Sequence, residues 1–242
     1  MPHEDVVYLA DQANVPYGDR DDDDLVRLMA DNAAFLEACG AEAIVMGCNT
    51  SCAVASRRGW PPARVPIFDL IDAAGRAVVA SGAIRVGVIA TAATARSGAY
   101  GRALRALVPS IAVQEVGAPK LVPLVESGLL SGPIARAAVD EALLGFELPL
   151  DALVLACTHY PLLDGEFGAA LGPHVLRIDP ADAQAEAAVA FVNARGGTAG
   201  SGRTRFVTTG PVEPYRVAVE AILGPLAPGD EVVRATASLG TR

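Results

Sequence analysis

Short apolar segments alternate with amphipathic helical segments along most of this 242-residue sequence, and this alternation strongly constrains its fold. The apolar segments are bounded by turn residues, which is typical of buried strands. Helices between consecutive strands make those strands parallel and cover the faces of their sheet. The predicted strands are 6–10, 43–46, 85–90, 111–115, 152–156, 175–178 and 205–207. The sequence therefore predicts the α/β class, with mostly parallel sheets flanked by helices.

The predicted helices are recognised by apolar residues at helical spacing. In the first helix Leu25 and Leu28 show that spacing, and Gly40 follows the last turn. The glycine-rich stretch 196–202 is expected to form a flexible loop, and the aperiodic segment after Pro225 is expected to fray. The predicted helices are 21–39, 50–58, 69–81, 95–107, 119–128, 132–145, 160–170, 181–194 and 212–224.

Two segments of the chain share one pattern, at 44–50 and at 154–159. In each, an apolar strand ends in a small residue, which is followed by a cysteine and then by polar residues that open a helix. The two cysteines are Cys48 and Cys157, roughly half the chain apart. Ligands of parallel α/β sheets bind at the carboxyl ends of strands. The repeat therefore predicts two pseudo-symmetric lobes that aim both thiols at an active site in the cleft between them.

The charge balance and the termini limit the partners that this chain can have. Acidic residues exceed basic ones, and the formal net charge is −9 at pH 7. Because a nucleic acid requires a basic surface, we expect no nucleic-acid partner. No apolar run reaches the ~18 residues of a membrane span, and the acidic N-terminus does not resemble a secretory signal. We therefore expect a cytoplasmic protein without membrane association, whose four cysteines stay reduced.

The basic residues are almost all arginine, and Lys120 is the one lysine in the sequence. Enzymes that use pyridoxal phosphate need a lysine for the Schiff base, so that chemistry would depend on Lys120 alone. The P-loop motif is absent, which excludes that class of nucleotide site. Composition thus makes pyridoxal-phosphate chemistry depend on one residue and excludes P-loop chemistry.

The positions of the two thiols favour acid/base chemistry. A cysteine between a strand and the start of a helix has a lowered pKa, so we expect both thiols to be more acidic than a free cysteine of pKa about 8.5. One thiol on each face of a small substrate could remove a proton from a carbon while the other returns one from the opposite side. Helix N-termini would supply N–H groups for the carboxylates of such a substrate.

Polar residues next to the thiols fit a site of this kind. Asn49, Thr50 and Thr158 can donate hydrogen bonds to a carboxylate. His159 lies two residues beyond Cys157 and could assist proton transfer, or could only cap or pack against its helix.

A second polar turn follows the predicted strand 85–90. Thr91 and Thr94 lie where the chain enters a helix, in a turn that could hold an anion. An ordinary helix N-cap explains Thr94 equally well, so this turn alone does not define a site.

At these residues the sequence resembles the glutamate racemases, within the aspartate/glutamate racemase superfamily, over nearly its whole length. The most specific segments are Gly-Cys-Asn-Thr at 47–50 and Ala-Cys-Thr-His-Tyr-Pro-Leu-Leu at 156–163. Each segment is short, and their common order along the chain makes the resemblance specific. The supporting segments are 11–18, 91–100, 119–126 and 208–210.

The resemblance implies an enzyme that interconverts L- and D-glutamate without a cofactor or a metal and supplies D-glutamate for peptidoglycan. It implies two α/β lobes, which we expect to comprise 1–82 with 181–242, incomplete at its N-terminus, and 83–180. The implied partner is the small molecule glutamate, and a homodimer is left open.

The resemblance also assigns roles to individual residues. Cys48 and Cys157 match the acid/base pair, with Cys157 the base in the L-to-D direction. Asp11, Glu126 and His159 match positions that assist the proton transfers, although a loop carboxylate and a solvated helix face explain the first two equally well. The implied substrate-binding residues are Pro16, Tyr17, Gly18, Asn49, Thr50, Thr91, Thr94 and Thr158.

One family feature is absent from this sequence. Members of the family begin with an additional strand that ends in an Asp-Ser-Gly turn, whereas this chain starts at the strand that should come second. Because that turn holds the substrate and supports the first cysteine, we expect either a gene start placed too late or a truncated relative. A truncated relative could be an inactive remnant that only binds a partner.

Two competing hypotheses concern the chemistry. A related racemase or decarboxylase would act on aspartate, a hydantoin or a malonate-type acid, but the retention of both cysteines favours glutamate. The second hypothesis is a Cys₃His zinc site, although its spacing is unusual. Its ligands would be Cys48, Cys52, Cys157 and His159. Otherwise Cys39 and Cys52 are expected to be buried apolar groups.

Overall fold

The computed structural model of the chain describes residues 3–147, 149–196 and 200–235. Its contacts divide the chain into two compact units. The first unit comprises Met1–Ile44, Trp60–Ile67 and Ala188–Arg242, and the second comprises Val45–Gly59 and Phe68–Ala187. Cys48 therefore belongs to the same unit as Cys157. The lobe boundaries expected from the sequence differ from these ranges and stay a prediction.

Apart from the strands Ile67–Phe68 and Glu231–Arg234 and the division of one helix into two, the strands and helices follow the order that the sequence pattern predicts. The strands are β1 (Val6–Ala10), β2 (Ile44–Val45), β3 (Ile67–Phe68), β4 (Arg85–Ala90), β5 (Ala112–Gly117), β6 (Ala152–Ala156), β7 (Leu176–Ile178), β8 (Thr204–Thr208) and β9 (Glu231–Arg234). The helices are α1 (Asp22–Ala38), α2 (Asn49–Arg58), α3 (Leu70–Ser81), α4 (Ala92–Ser97), α5 (Ala99–Leu107), α6 (Leu121–Glu126), α7 (Pro133–Leu143), α8 (Asp164–Leu171), α9 (Pro180–Ala194) and α10 (Val212–Leu223). Short 3₁₀ turns lie at Gln12–Asn14, Tyr17–Asp19 and Tyr160–Leu163.

A four-stranded parallel sheet, in the order β5-β4-β6-β7, forms the centre of the second unit. Every residue of β6 is buried, as are five of the six residues of β4. Strands buried on both faces need apolar side chains at every position, which explains why these two segments are apolar throughout. Helices α6, α7 and α8 pack on this sheet in a core that includes Leu121, Val139 and Phe167.

The sheet of the first unit is also parallel, in the order β1-β8-β9. Phe206, Tyr215, Val219 and Val232 form its core. The expectation that the chain frays after Pro225 is wrong for β9, because Val232 is buried against this core and β9 pairs with β8. Because the three-stranded and four-stranded sheets are parallel and flanked by helices, the predicted α/β class is confirmed.

The single helix predicted at 95–107 is instead two helices, α4 and α5. The break lies at Gly98, whose φ of +64° is in the left-handed region that glycine adopts without strain. Helix α4 begins earlier than predicted, because the side chain of Thr91 caps it by accepting a hydrogen bond from the backbone N–H of Thr94.

Two short stretches differ from the pattern in the sequence. The short strand β3 was not predicted, because two apolar residues carry no periodicity. In the stretch 196–202, residues 197–199 lie outside the described residues, whereas Ser201 is held by two hydrogen bonds to the carboxylate of Asp5. None of the helices within the described ranges combines the length and the hydropathy needed to cross a bilayer.

The carboxylate of Asp151 joins the starts of β4 and β6. It accepts hydrogen bonds from the backbone N–H groups of Ile84 and Arg85, at 3.2 and 2.8 Å, and from the guanidinium of Arg85. The Arg85 side chain and these N–H groups lower the pKa of Asp151 to about 2, from 3.8. A lowered pKa stabilises the fold above the unfolded pKa, and that stabilisation is lost as the pH falls towards the folded pKa.

We therefore expect Asp151→Asn to lower the urea midpoint of unfolding at pH 7. The difference in midpoint between the variant and the wild type should narrow as the pH falls from 5 to 3. The measurement is urea unfolding followed by circular dichroism at each pH. Asp140→Asn, at an exposed position of α7, is the matched control and should show no such dependence. If the difference in midpoint between Asp151→Asn and the wild type stays constant down to pH 3, the ionised carboxylate of Asp151 does not stabilise the fold.

Candidate active site

The carboxyl ends of β4 and β6 lie side by side in the sheet of the second unit. Their parallel register pairs Ala90 with Ala156, the last residue of each strand. The next residues, Thr91 and Cys157, therefore leave the sheet at the same edge. This edge is the one at which parallel sheets bind their ligands.

Cys48 lies at the N-terminus of α2 and acts as its N-cap. Its backbone is extended, with φ of −140° and ψ of 112°, and its Sγ accepts a hydrogen bond from the backbone N–H of Ser51 at 3.5 Å. A sulfur in this position faces the positive end of the helix dipole. The half-buried thiol of Cys48 is thus held at a helix start, as the sequence predicts.

The hydroxyl groups of Thr50, Thr91 and Thr94 form one cluster. Thr50 Oγ1 lies 3.4 Å from that of Thr91 and 3.3 Å from that of Thr94, and Thr91 donates to Thr94 at 3.0 Å. Thr50 and Thr94 are buried. The structure therefore brings together three predicted substrate residues that come from two separate turns of the chain.

Asn49, the first residue of α2, is buried and is paired with Tyr100 of α5. The Tyr100 hydroxyl donates a hydrogen bond to the side-chain oxygen of Asn49. Tyr100 is completely buried, whereas Asn49 is 4% exposed. Tyr100 was not predicted as a site residue, although it ends the segment 91–100 that carries part of the family resemblance.

Cys157, His159 and Glu126 form a chain of contacts that runs outwards to solvent. Cys157 Sγ lies 3.8 Å from Nδ1 of His159, and Nε2 of His159 lies 2.6 Å from Oε1 of Glu126. The Cys157 residue is 6% exposed, the His159 side chain 32% and the Glu126 side chain 68%. The imidazole thus connects a buried thiol to a solvent-exposed carboxylate.

Burial dominates the acidity of the Cys157 thiol. It raises the pKa of Cys157 to about 12, the backbone N–H of His159 lowers it in part, and the nearby Cys48 thiol raises it further. The expectation of a lowered pKa is therefore wrong for Cys157, because loss of hydration outweighs the N–H group at the turn. The turn of Cys48 also contains Thr50, whose hydroxyl contacts that of Thr91, and Thr91 follows the strand end that is paired with the one before Cys157.

Two buried side chains that were not predicted hold the turns on which the thiols lie. The hydroxyl of Tyr160 donates to the backbone carbonyls of Ala90 and Ala118, at 3.1 and 3.0 Å.

The amide of Gln184, on α9, donates to the carbonyls of Met46 and Phe68, at 3.1 and 2.9 Å. Met46 lies two residues before Cys48, so Gln184 fixes the strand end from which that turn begins. No sequence pattern marks either partner, because each contact joins distant parts of the chain.

Both the sequence and the fold match those of known racemases. Residues 1–188 match the Asp/Glu/Hydantoin racemase family. A curated glutamate racemase of Desulforudis audaxviator is 40% identical over 235 residues, which cover 93% of this chain and 86% of that protein. The chain belongs to the Asp/Glu/hydantoin racemase family.

Solved structures of family members also match this fold. The crystal structure of glutamate racemase from Thermus thermophilus, in complex with β-chloro-D-alanine, aligns with a TM-score of 0.83 at 35% identity over 98% of this chain and 88% of that one. The glutamate racemase of Francisella tularensis, in complex with D-glutamate, aligns with a TM-score of 0.83 at 28% identity over 98% and 89%. The resemblance to glutamate racemases predicted from the sequence is confirmed.

The remaining predicted site residues of this family member lie mainly in the first unit. Asp11 accepts hydrogen bonds from the hydroxyls of Tyr17 and Thr209, at 2.6 and 2.9 Å, and from the side-chain amide of Asn14. Asp11 therefore organises its own loop. Pro16 and Gly18 flank Tyr17 in the same loop and are exposed and half-buried, respectively. Thr158, in the second unit, is exposed. The substrate roles of these residues stay predictions.

The zinc hypothesis is not supported by the geometry. The described residues contain no group of three or more His, Cys, Asp or Glu side chains placed to hold a metal ion, and all four proposed ligands are among them. Cys52 is buried, with its thiol towards the carbonyl of Met46 at 4.0 Å, as expected of a buried apolar group. Cys39 is only half-buried.

The raised pKa of Cys157 predicts how this thiol reacts with alkylating agents. Because only the thiolate reacts and the pKa is about 12, we expect the rate of alkylation of Cys157 by iodoacetamide to rise about tenfold per pH unit from pH 7 to pH 10. Quenched samples, digested and mapped by mass spectrometry, give this rate. A free cysteine of pKa about 8.5 is the control and should level off above pH 9. A plateau for Cys157 below pH 10 would contradict the prediction.

Proposed function

We propose that this protein interconverts L- and D-glutamate through two cysteine thiols, without a cofactor. The observation that carries the proposal is the placement of Cys48 and Cys157 at two turns of one compact unit, which are linked by the Thr50–Thr91 contact and lie beside hydroxyl and amide donors. The relatives named glutamate racemase support the same substrate.

The proposed reaction is a pair of proton transfers at the α-carbon. In the L-to-D direction, the thiolate of Cys157 forms an S–H bond as the Cα–H bond of glutamate breaks, and the electron pair remains on the substrate. The thiol of Cys48 then delivers its proton to the opposite face of Cα and becomes a thiolate. The roles reverse for the D enantiomer, and nothing is oxidised or reduced. A proton removed from one face and returned to the other inverts the carbon.

His159 provides a route by which Cys157 loses its proton before turnover. With Nε2–H donating to Glu126, the other ring nitrogen, Nδ1, is free to accept the thiol proton at 3.8 Å. The carboxylate of Glu126 then stabilises the imidazolium, as a carboxylate does beside any histidine that acts as a base. This pair gives the proton of the buried Cys157 thiol a path towards solvent during turnover.

The hydroxyl cluster and the amide of Asn49 are proposed to bind a carboxylate of glutamate. Buried neutral donors are suited to this task because they bind an anion without making the site strongly basic. We extend the proposal to the exposed Thr158 and to the Asp11 loop of the first unit. The substrate-binding residues proposed there are Pro16, Tyr17 and Gly18.

The proposal of cofactor independence is supported by the environment of the single lysine. Lys120 is exposed, and its Nζ lies 2.6 and 2.8 Å from the two carboxylate oxygens of Glu141. A surface lysine in an ion pair lacks the apolar pocket that activates a Schiff-base lysine. We further propose that the D-glutamate serves peptidoglycan synthesis and that the protein works in the cytoplasm, where its four cysteines stay free.

Replacing either thiol tests the two-base mechanism. We expect Cys48→Ser and Cys157→Ser each to lower kcat/KM for glutamate by at least ~10²-fold, because a serine hydroxyl is a far weaker acid than a thiol. Circular dichroism follows the racemisation, and Cys39→Ser, a half-buried cysteine of the first unit, is the matched control. Near-wild-type racemisation by either variant would overturn the mechanism, as would a requirement for added pyridoxal phosphate. Equal turnover of aspartate would overturn the choice of substrate.

Replacing His159 tests the proton route. We expect His159→Gln, which keeps a polar side chain but cannot hold the proton, to lower kcat/KM on the order of 10²-fold. The loss must be equal in the two directions, because L- and D-glutamate have the same free energy in water. Initial rates from each enantiomer check both points. Wild-type rates in the variant would show that Cys157 is deprotonated by another route.

A further inference from the structure

Tyr100 is the buried partner of the amide that stands next to Cys48. Its side chain is completely enclosed, and its hydroxyl donates to the side-chain oxygen of Asn49. A buried hydroxyl needs a partner, since an unpaired one costs free energy comparable to a lost hydrogen bond. The pairing therefore constrains the rotation of the Asn49 side chain as well as that of Tyr100.

The direction of this hydrogen bond fixes which end of the amide faces the site. An asparagine carries one acceptor and two donors, and the two amide orientations differ only in which of them meets its partner. In the opposite orientation the Tyr100 proton would point at the N–H groups of Asn49, which are donors and cannot accept it. Burial raises the pKa of Tyr100 well above its usual value, so the phenol keeps its proton and remains the donor.

The helix that carries Tyr100 is itself held in place at its first turn. Glu115, on β5, accepts a hydrogen bond from the backbone N–H of Gly101 at 2.7 Å. A Cβ at Gly101 would lie 2.6 Å from this carboxylate oxygen, so a larger residue there would displace the Glu115 side chain from this position. The other oxygen of Glu115 is buried and unpaired, which shows that this contact is maintained at a cost in solvation.

We propose that Tyr100 is a positioning residue that turns the amide of Asn49 so that both of its N–H donors face the substrate. The oxygen of Asn49 is occupied by Tyr100, and the nitrogen is left to bind a carboxylate beside the hydroxyls of Thr50 and Thr91. The site is thereby made selective for an anion, because an inverted amide would present an oxygen and repel it. This inference rests on the proposed function, since it takes the ligand of Asn49 to be an amino-acid carboxylate.

The test is Tyr100→Phe, which removes the hydroxyl and keeps the ring. We expect the KM for both glutamate enantiomers to rise about tenfold, the loss of one oriented hydrogen bond to a charged group, with kcat changed less than about threefold. The matched control is Tyr215→Phe, a buried tyrosine of the first unit whose hydroxyl has no partner in the described structure. It should leave both constants unchanged.

A double-mutant cycle separates positioning from a general loss of structure. In an Asn49→Ala background no amide remains to be turned, so Tyr100→Phe should change KM no further. An undiminished effect in that background, or an unchanged KM in Tyr100→Phe alone, would overturn the inference.

A measurement independent of turnover distinguishes this inference from the proposed function. Nuclear magnetic resonance should show a Tyr100 hydroxyl proton that exchanges slowly with water in the wild type and rapidly in Asn49→Ala. If the wild type fails to racemise glutamate, the proposed function is wrong, while this exchange still reports the pairing. Slow exchange that persists in Asn49→Ala would show that Tyr100 donates elsewhere and would overturn the inference.

Discussion

The parallel register between β4 and β6 is the constraint on which the rest of the site depends. Because Ala90 is paired with Ala156, the turns that begin with Thr91 and Cys157 open at the same edge of the sheet. Tyr160 locks this edge by donating to the carbonyl of Ala90. A shift of the register by one residue would reverse the faces of the strand and would bury different side chains. The site is therefore held by backbone pairing, and its side chains only complete it.

Desolvation is the second physical effect that shapes the site. It favours the binding of a carboxylate but makes the Cys157 thiol less acidic. Under the proposed function, enclosure strengthens each hydrogen bond that Asn49 and Thr94 donate to the substrate carboxylate, because few water molecules compete. The same enclosure raises the pKa of Cys157, which makes the thiolate scarce but strongly basic once formed. The contacts from Cys157 through His159 to Glu126 reach solvent, and in the proposed mechanism they carry the proton away from the buried thiol. The proposed mechanism therefore needs both the burial of Cys157 and the exposure of Glu126.

Most elements and the main chemical groups of the site were predictable from local pattern. Cys48 and Cys157 stood out because each follows an apolar strand and precedes a helix in a repeated pattern. Thr91 stood out because it begins a polar turn that could hold an anion. Tyr100 and Gln184 were missed, since each looks like an ordinary residue of an amphipathic helix. Their roles depend on the partner that each one meets, and those partners lie 51 and 138 residues away. The strand β9 was missed for the same reason, because its pairing with β8 is not encoded in its own periodicity.

By itself, the sequence determined the α/β class, the order of the elements and the strand-end positions of the thiols, because apolar periodicity and turn residues act over a few neighbours. Only the tertiary structure decided the acidity and the orientation of the side chains in the site. Burial raises the pKa of Cys157, whereas its place at a helix start predicts a lowered one. The hydroxyl of Tyr100, 51 residues away, occupies the side-chain oxygen of Asn49. Hydration and hydrogen-bond direction depend on what surrounds a group in space, and residues far apart in the chain supply those surroundings.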